Sequence, residues 1–298
     1  MSDHQSWRLE PGTLWDKIVE TTKTALGAGA LQPIATESEM VEAEGVNFLV
    51  RVLANVGRKD KAKEQQRQKT ATSGQEFNPF LPYEEALFVA DISETHLCLL
   101  NKFNVVDYHI LIVTREFEDQ EQLLTVADFE ALLICLEELD GLGFYNGGKE
   151  AGASQRHKHL QLVPAPLTTN GPKIPIDPLI TTAKFEENLG KIPNFPFRHG
   201  VISLKFGQEN ATDLWEKYHQ LLEAVKLTPL TEQQAGPYNL LITREWMFLV
   251  ARSQESFQGI SVNSLGFAGG LLVRNIEQME LLQKHGPINV LKHVALEW

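Results

Sequence analysis

Leu14, Ile18, Val19, Thr22 and Leu26 recur at helical spacing and predict an amphipathic helix that ends near Gly27. "GVNFLVRVL" (45–53) reads as a strand, and "ALFVADI", "HLCLLNKF" and "YHILIVTREF" between 86 and 117 read as successive strands. Between them, residues 55–86 are long and irregular, the mark of a ligand loop or a disordered excursion. "TVADFEALLICLEELDG" predicts a helix capped by Thr125, with Asp128 completing a capping box and Gly141 as the stop. "GFYN" reads as a short strand, "GGKEAGASQ" as a small-residue loop, and "RHKHLQLVP" as a strand stopped by Pro164 and Pro166. A Pro-rich crossover follows, and a soft boundary there separates region 1–165 from region 166–298, which can still form one continuous domain. The second region again alternates strands and helices, with a strand "HGVISLKF", a helix carrying Leu214, Tyr218, Leu221, Leu222 and Val225 on one side, and a hairpin "YNLLITREWMFLVAR". "LIVTREF" and "LLITREW" resemble each other, but seven residues do not decide between duplication and chance.

At 298 residues and 43% hydrophobic content the chain can bury a large core. No apolar run reaches the roughly 20 residues that span a bilayer. The start "MSDHQSWRLEPGT" lacks the apolar core of a signal peptide, so the expected location is the cytoplasm. Cys98 and Cys135 lie far apart in no CxxC pattern and are expected to be buried free thiols. The net charge of -12 argues against general nucleic-acid binding, so a polyanionic ligand must meet a local basic pocket. "RKDKAKEQQRQK", with Arg58, Lys59, Lys61, Lys63, Arg67 and Lys69, is one candidate; its bland reading is a solvated face.

The densest chemistry lies in "SQRHKHLQL" (154–162). On a strand, His157, His159 and Gln161 point one way while Lys158, Leu160 and Leu162 point the other. Three hydrogen-bonding groups at intervals of about 7 Å suit a chain of phosphates. In the preceding loop Asn146, Gly147, Gly148, Gly152, Ala153 and Ser154 are small enough for main-chain N–H groups to approach an anion. Ser154 and Gln155 add donors, and Lys149, Arg156 and Lys158 add charge. A metal-binding His pair and a purely structural pair are the competing readings, though no third metal ligand at convincing spacing is visible. Neither a P-loop nor a dinucleotide fingerprint is present.

"LLNKFNVVDYHILIV", "FYNGG", "GASQRHKHLQL", "YNLLITREWMFLVARS" and "SVNSLGFAGGLLVR" together resemble the diadenosine tetraphosphate phosphorylases, or ATP adenylyltransferases, of the histidine triad superfamily. The resemblance runs from about residue 45 to the C-terminus. It implies an α+β fold, a mainly antiparallel sheet with flanking helices elaborated by the C-terminal half. It also implies a reversible reaction of diadenosine tetraphosphate with phosphate to ATP and ADP, through an adenylyl-histidine. His159 matches the nucleophile, Gln161 an amide that orients phosphoryl oxygens where hydrolytic relatives carry histidine, and His157 a residue that orders strand and phosphate. By the same match Asn101 meets the ribose, and Asn146, Gly152, Ala153, Ser154 and Gln155 hold phosphates. Lys59 reaches the distal phosphates, and Asn263, Ser264 and Arg274 complete the site. Gly270 lacks a larger side chain found in many relatives, and Arg274 stands where lysine is frequent.

A divalent cation, Mg2+, is expected with the polyphosphate. The expected partners are the dinucleoside polyphosphate, ATP, ADP and phosphate, without nucleic acid or membrane. A hexose-1-phosphate nucleotidylyltransferase, a sulfate-accepting ADP adenylyltransferase and a non-catalytic dinucleotide sensor are the alternatives.

Overall fold

The computed structural model describes residues 8–54, 77–193, 195–227 and 236–298, and every structural statement below concerns those residues. Helix α1 (Leu14–Gly27) is followed by β1 (Thr36–Ala43), β2 (Val46–Leu53), β3 (Phe88–Asp91), β4 (His96–Leu100) and β5 (Ile110–Thr114). Next come α2 (Val126–Glu138), β6 (Gly141–Gly147) and β7 (His159–Pro164). After the crossover lie α3 (Asp177–Ile180), β8 (Lys184–Glu186), β9 (Leu189–Lys191), β10 (His199–Ser203) and α4 (Ala211–Ala224). The chain ends with β11 (Tyr238–Ile242), β12 (Trp246–Ala251), β13 (Ser256–Phe257), β14 (Ile260–Ser261), α5 (Ser264–Phe267), β15 (Gly270–Val273), α6 (Ile276–His285) and α7 (Pro287–Val294).

Ten strands form one sheet in the order β3-β4-β5-β7-β6-β11-β12-β10-β9-β8, antiparallel at every junction. The fold is therefore α+β and mainly antiparallel, as expected. The sheet is continuous across the crossover, because β6 from the first region pairs with β11 from the second. Helices α1, α2 and α4 cover one face with Leu14, Ile18, Phe129, Leu132, Leu214 and Tyr218. The opposite face carries a smaller sheet, β1-β2-β15, together with α5, α6 and α7. A separate patch on that face, Phe80 over Leu97, Leu99, Leu111 and Val113, leaves a gap between itself and the C-terminal layer. The gap is where β7 turns His159 and Gln161.

Several expectations change. Helix α1 buries Leu14, Ile18 and Ala25, whereas Val19 (37%) and Leu26 (47%) are exposed, so the buried stripe is narrower than the apolar spacing suggests. Gly141 does not end α2; Leu139 caps it, and Gly141 opens β6 against the Val163 carbonyl, where a Cβ would collide. Strand β1, "TESEMVEA", shows no buried alternation because it is the edge of the smaller sheet, and its backbone pairing with β2 defines it. "NSLGFAGG" forms a capped helical turn between β14 and β15, with the Asn263 side chain accepting from the Leu265 N–H. Cys98 and Cys135 are buried and free.

The largest correction concerns Lys158. Its side chain is fully buried on the helix side of the sheet, where Nζ meets Asp128 at 2.7 Å, Glu118 at 3.0 Å and the Leu123 carbonyl at 3.1 Å. It lies behind the strand and adds no donor to a phosphate site. Asp128 also accepts from His96 Nε2 (3.1 Å) and from the N–H of Thr125 (2.7 Å), closing the capping box of α2. Burial pushes the Asp128 carboxyl up, but His96 and Lys158 outweigh it and draw its pKa down to about 2. This network fastens the strand residue between the two histidines to the start of α2.

Asp128→Ala removes the buried counter-charge of Lys158 and leaves it only the half-exposed Glu118, and chemical denaturation should show a loss of about 3 kcal/mol. Glu118→Ala, at the half-exposed end of the network, should cost under about 1 kcal/mol.

Candidate active site

Strand β7 fixes His159. Its N–H donates to the Gln120 side chain at 2.9 Å, and its Nδ1 lies 2.8 Å from the carbonyl oxygen of His157. A carbonyl only accepts, so Nδ1 carries the proton and Nε2 keeps its lone pair. Burial lowers the pKa of the ring to about 4, against the weaker pull of the His157 carbonyl. His159 is thus a neutral imidazole in a defined tautomer, lining a cavity of about 770 Å³.

His157 sits just before the strand, in an isolated bridge to Asp119. Its Nε2 donates to the Thr114 carbonyl (2.8 Å) and its Nδ1 accepts from Asn78 Nδ2 (2.9 Å). Asn78 is itself oriented by the Phe80 N–H on its Oδ1 at 2.9 Å. Both nitrogens of His157 are therefore engaged within the protein, and the residue acts by holding its own carbonyl against His159. Neither ring nitrogen of His157 is left over for a phosphate oxygen or a metal. The Phe80 ring packs on both imidazoles, at 5.5 and 5.4 Å between centroids.

Gln161, two residues on and on the same face, has Oε1 3.0 Å from His109 Nε2. Asn146 on β6 is tied more tightly: its Oδ1 accepts from Asn239 Nδ2 (2.9 Å), the Ser264 N–H (2.9 Å) and the Ser264 hydroxyl (2.8 Å). The Asn146 amide nitrogen consequently faces the cavity as a donor. Ser264 is fully buried, and its one hydroxyl proton is shared between Asn146 and the more distant Tyr145 carbonyl (3.1 Å), so it orients Asn146 and does not itself reach the cavity. Behind them Arg252, buried and with its pKa lowered to about 9 by burial, donates to Asn239 and to the Ala151 carbonyl at the end of the loop.

The small-residue loop contains a 3₁₀ turn, Lys149–Ala151, framed by Gly148 (φ 99°) and Gly152 (φ 91°). Both conformations favour glycine. A Cβ on Gly152 would come within 2.8 Å of Asn263 Cβ and of the Val262 carbonyl, so the loop packs directly on the C-terminal block. Among the described residues the main-chain N–H groups of Ser154 and Gln155 have no protein acceptor. Ser154, Gln155, Gly152 and Asn263 line both the cavity of His159 and a neighbouring one of about 1210 Å³. Either volume is of the size that holds a nucleotide-sized ligand.

The structure thus gathers Asn101, Asn146, Gly152, Ser154, Gln155, His159, Gln161 and Asn263 around the first cavity. Ala153, His157, Lys149, Arg156 and Arg274 face the second. Arg156 pairs with Asp119 at 2.6 Å. Lys59 and the basic run around it lie outside the described residues. Sequence reasoning missed His109, Gln120, Asn78, Asn239 and Arg252, whose partners are far away in the chain, and Arg51, a half-buried guanidinium in the His159 cavity beside Gly270.

A neutral, tautomer-fixed imidazole among amide donors suits transfer of a nucleotidyl group to and from nitrogen, the chemistry of a nucleotidyltransferase. Comparison with known proteins supplies the family. The model of the Ap4A (diadenosine tetraphosphate) phosphorylase N-terminal domain matches residues 4–182, and that of the ATP adenylyltransferase C-terminal domain matches residues 193–297. The chain belongs to the Ap4A phosphorylase family. It is 30% identical over 235 residues to diadenosine 5',5'''-P1,P4-tetraphosphate phosphorylase 2 of Saccharomyces cerevisiae, covering 69% of this chain and 71% of that one. Crystal structures of yeast Ap4A phosphorylase Apa2 with AMP and with Ap4A superpose with TM-scores of 0.78 and 0.77, at 25% and 26% identity, over 97% of this chain and 99% of theirs.

Because the folded pKa of His159 is lowered to about 4, its neutral form is complete at pH 6 and above. The single-turnover rate of adenylyl transfer should be flat from pH 8 to 6 where that form limits it. A free imidazole with pKa near 6.5 would lose about three quarters of its neutral form over that range. Gly152→Ala should lower kcat/KM on the order of 10²-fold by displacing the loop from Asn263, in steady-state assays of the same reaction.

Proposed function

We propose that the chain catalyses the phosphorolysis of Ap4A to ATP and ADP, reversibly, through an adenylyl group on His159. The observation that carries the reading is the His159 Nδ1 to His157 carbonyl hydrogen bond, which leaves Nε2 free in a cavity of nucleotide size. Nε2 attacks the α-phosphorus of one adenylyl unit, and the bond from that phosphorus to its bridging oxygen breaks. ATP departs with the electron pair. The imidazole gains positive charge, which the His157 carbonyl stabilises through Nδ1–H. A phosphate oxygen then attacks the same phosphorus, the P–N bond returns its electrons to Nε2, and ADP leaves.

In this reading Gln161, Asn146 and the free N–H groups of Ser154 and Gln155 bind the phosphoryl oxygens, Asn101 meets the ribose, and Arg274 lies toward the more distal groups. Gln161 has no proton to exchange at neutral pH, so the site does not activate water as a histidine there could. Phosphate, already anionic, needs no such activation. The two adjoining cavities give room for both nucleosides. No group of three or more His, Cys, Asp or Glu that could hold a metal is found among the described residues, so magnesium in this reading enters with the polyphosphate it neutralises. No helix among them is long and apolar enough to cross a membrane, and we place the activity in the cytoplasm, where ATP, ADP and phosphate are available.

Anion-exchange analysis after incubation with Ap4A and magnesium should show ATP and ADP only when phosphate is present. His159→Ala should reduce the rate on the order of 10⁴-fold or more. ATP and AMP without phosphate would mean hydrolysis. Turnover with sulfate alone would move the acceptor, and turnover of a UDP-sugar alone would move the substrate class.

A further inference from the structure

His109 is given no role by the sequence motif, yet it is buried in the wall of the His159 cavity between two residues that face the same space. Its Nδ1 lies 3.1 Å from Asn101 Nδ2, and its Nε2 lies 3.0 Å from Gln161 Oε1. Such a chain of two amides and an imidazole has two self-consistent settings. In one, protons run from Asn101 toward Gln161, and the Gln161 NH2 group is left facing the cavity. In the other, every donor and acceptor is exchanged, and Gln161 presents its carbonyl oxygen to the phosphoryl group.

The backbone decides between them. The Phe103 N–H lies 3.4 Å from Asn101 Oδ1 and can only donate. This long bond fixes which end of the Asn101 amide faces His109: Nδ2 donates to Nδ1, the imidazole proton must sit on Nε2, and Nε2–H donates to Gln161 Oε1. We propose that His109 is a positioning residue, the middle of a one-way hydrogen-bond relay from Phe103 through Asn101 that turns the Gln161 amide donor toward the transferring phosphoryl group.

Burial lowers the pKa of His109 to about 4, so the ring stays neutral and keeps one donor and one acceptor. A doubly protonated ring would set N–H against the Asn101 NH2 group. The relay also links two subsites, because a ribose hydroxyl donating to Asn101 Oδ1 would reinforce the same polarity. The proposal rests on the phosphorolysis reading for its catalytic consequence, while the tautomer itself does not.

Two measurements test it. With histidine labelled at 15N, long-range correlation spectra should show one buried ring, identified by its response to Gln161→Ala, protonated at Nε2 alone from pH 6 to 8. A proton on Nδ1, or titration in that range, overturns the relay, and this result needs neither substrate nor a further variant. In single-turnover assays His109→Phe should slow adenylyl transfer about 10–100-fold, as loss of an orienting partner does elsewhere, with AMP affinity little changed. In a Gln161→Ala background the same substitution should cost nothing further. An equal loss in both backgrounds would show that His109 acts independently of Gln161.

Discussion

The hydrogen bond between His159 Nδ1 and the His157 carbonyl is the constraint on which the site depends. It is formed between residues two apart in the chain, at the entry to β7, so no domain movement is needed to make it. It settles the tautomer, and burial settles the charge; together they leave one lone pair, on Nε2, facing the cavity. Much of the surrounding structure holds that short backbone segment in place. On the cavity side His157 is pinned by Thr114 and Asn78, and Phe80 covers both rings. On the reverse side Lys158 is drawn into the Asp128 network beneath α2. The residue between the histidines thus anchors the strand from behind.

Backbone N–H groups set the direction of the side-chain amides nearest the reaction. Phe80 N–H orients Asn78 toward His157, and Phe103 N–H orients Asn101 toward His109. The Ser264 N–H and hydroxyl perform the same service for Asn146. In each case a group that must donate fixes the oxygen end of an amide, and the amide nitrogen is delivered elsewhere. Preorganised donors of this kind stabilise developing phosphoryl charge without reorganising during the reaction. They also explain why the C-terminal half matters to a site whose central histidine, His159, lies in the first half: Asn146 is aimed by Asn239 and Ser264.

Period-two alternation placed His157, His159 and Gln161 on one face, and the helix of Leu214, Tyr218, Leu221 and Leu222 followed from its period. Alternation also puts Lys158 on the core face, but nothing in the local sequence points to its partner Asp128, thirty residues earlier. Ser264 sat in a persuasive motif, yet burial gives it a supporting task. His109 lies inside "LLNKFNVVDYHILIV", but nothing local marks its role, and Gln120 lies in none of the quoted stretches. Their significance arises from the pairing of β5 with β7 and from a loop folded over β7, both products of tertiary structure. Strand β1 was invisible because an exposed edge strand needs no apolar face.

The central claim is a covalent bond at a particular atom. Rapid mixing with Ap4A and magnesium in the absence of phosphate, followed by alkaline quench and peptide mapping with 31P detection, reads that bond directly. The account predicts one adenylyl group per chain, on His159, through a P–N bond to Nε2, and its disappearance as ADP when phosphate is added. An adenylyl group on another residue, or on Nδ1 of His159, would contradict it. So would rapid conversion of Ap4A with phosphate in which no adenylylated chain forms.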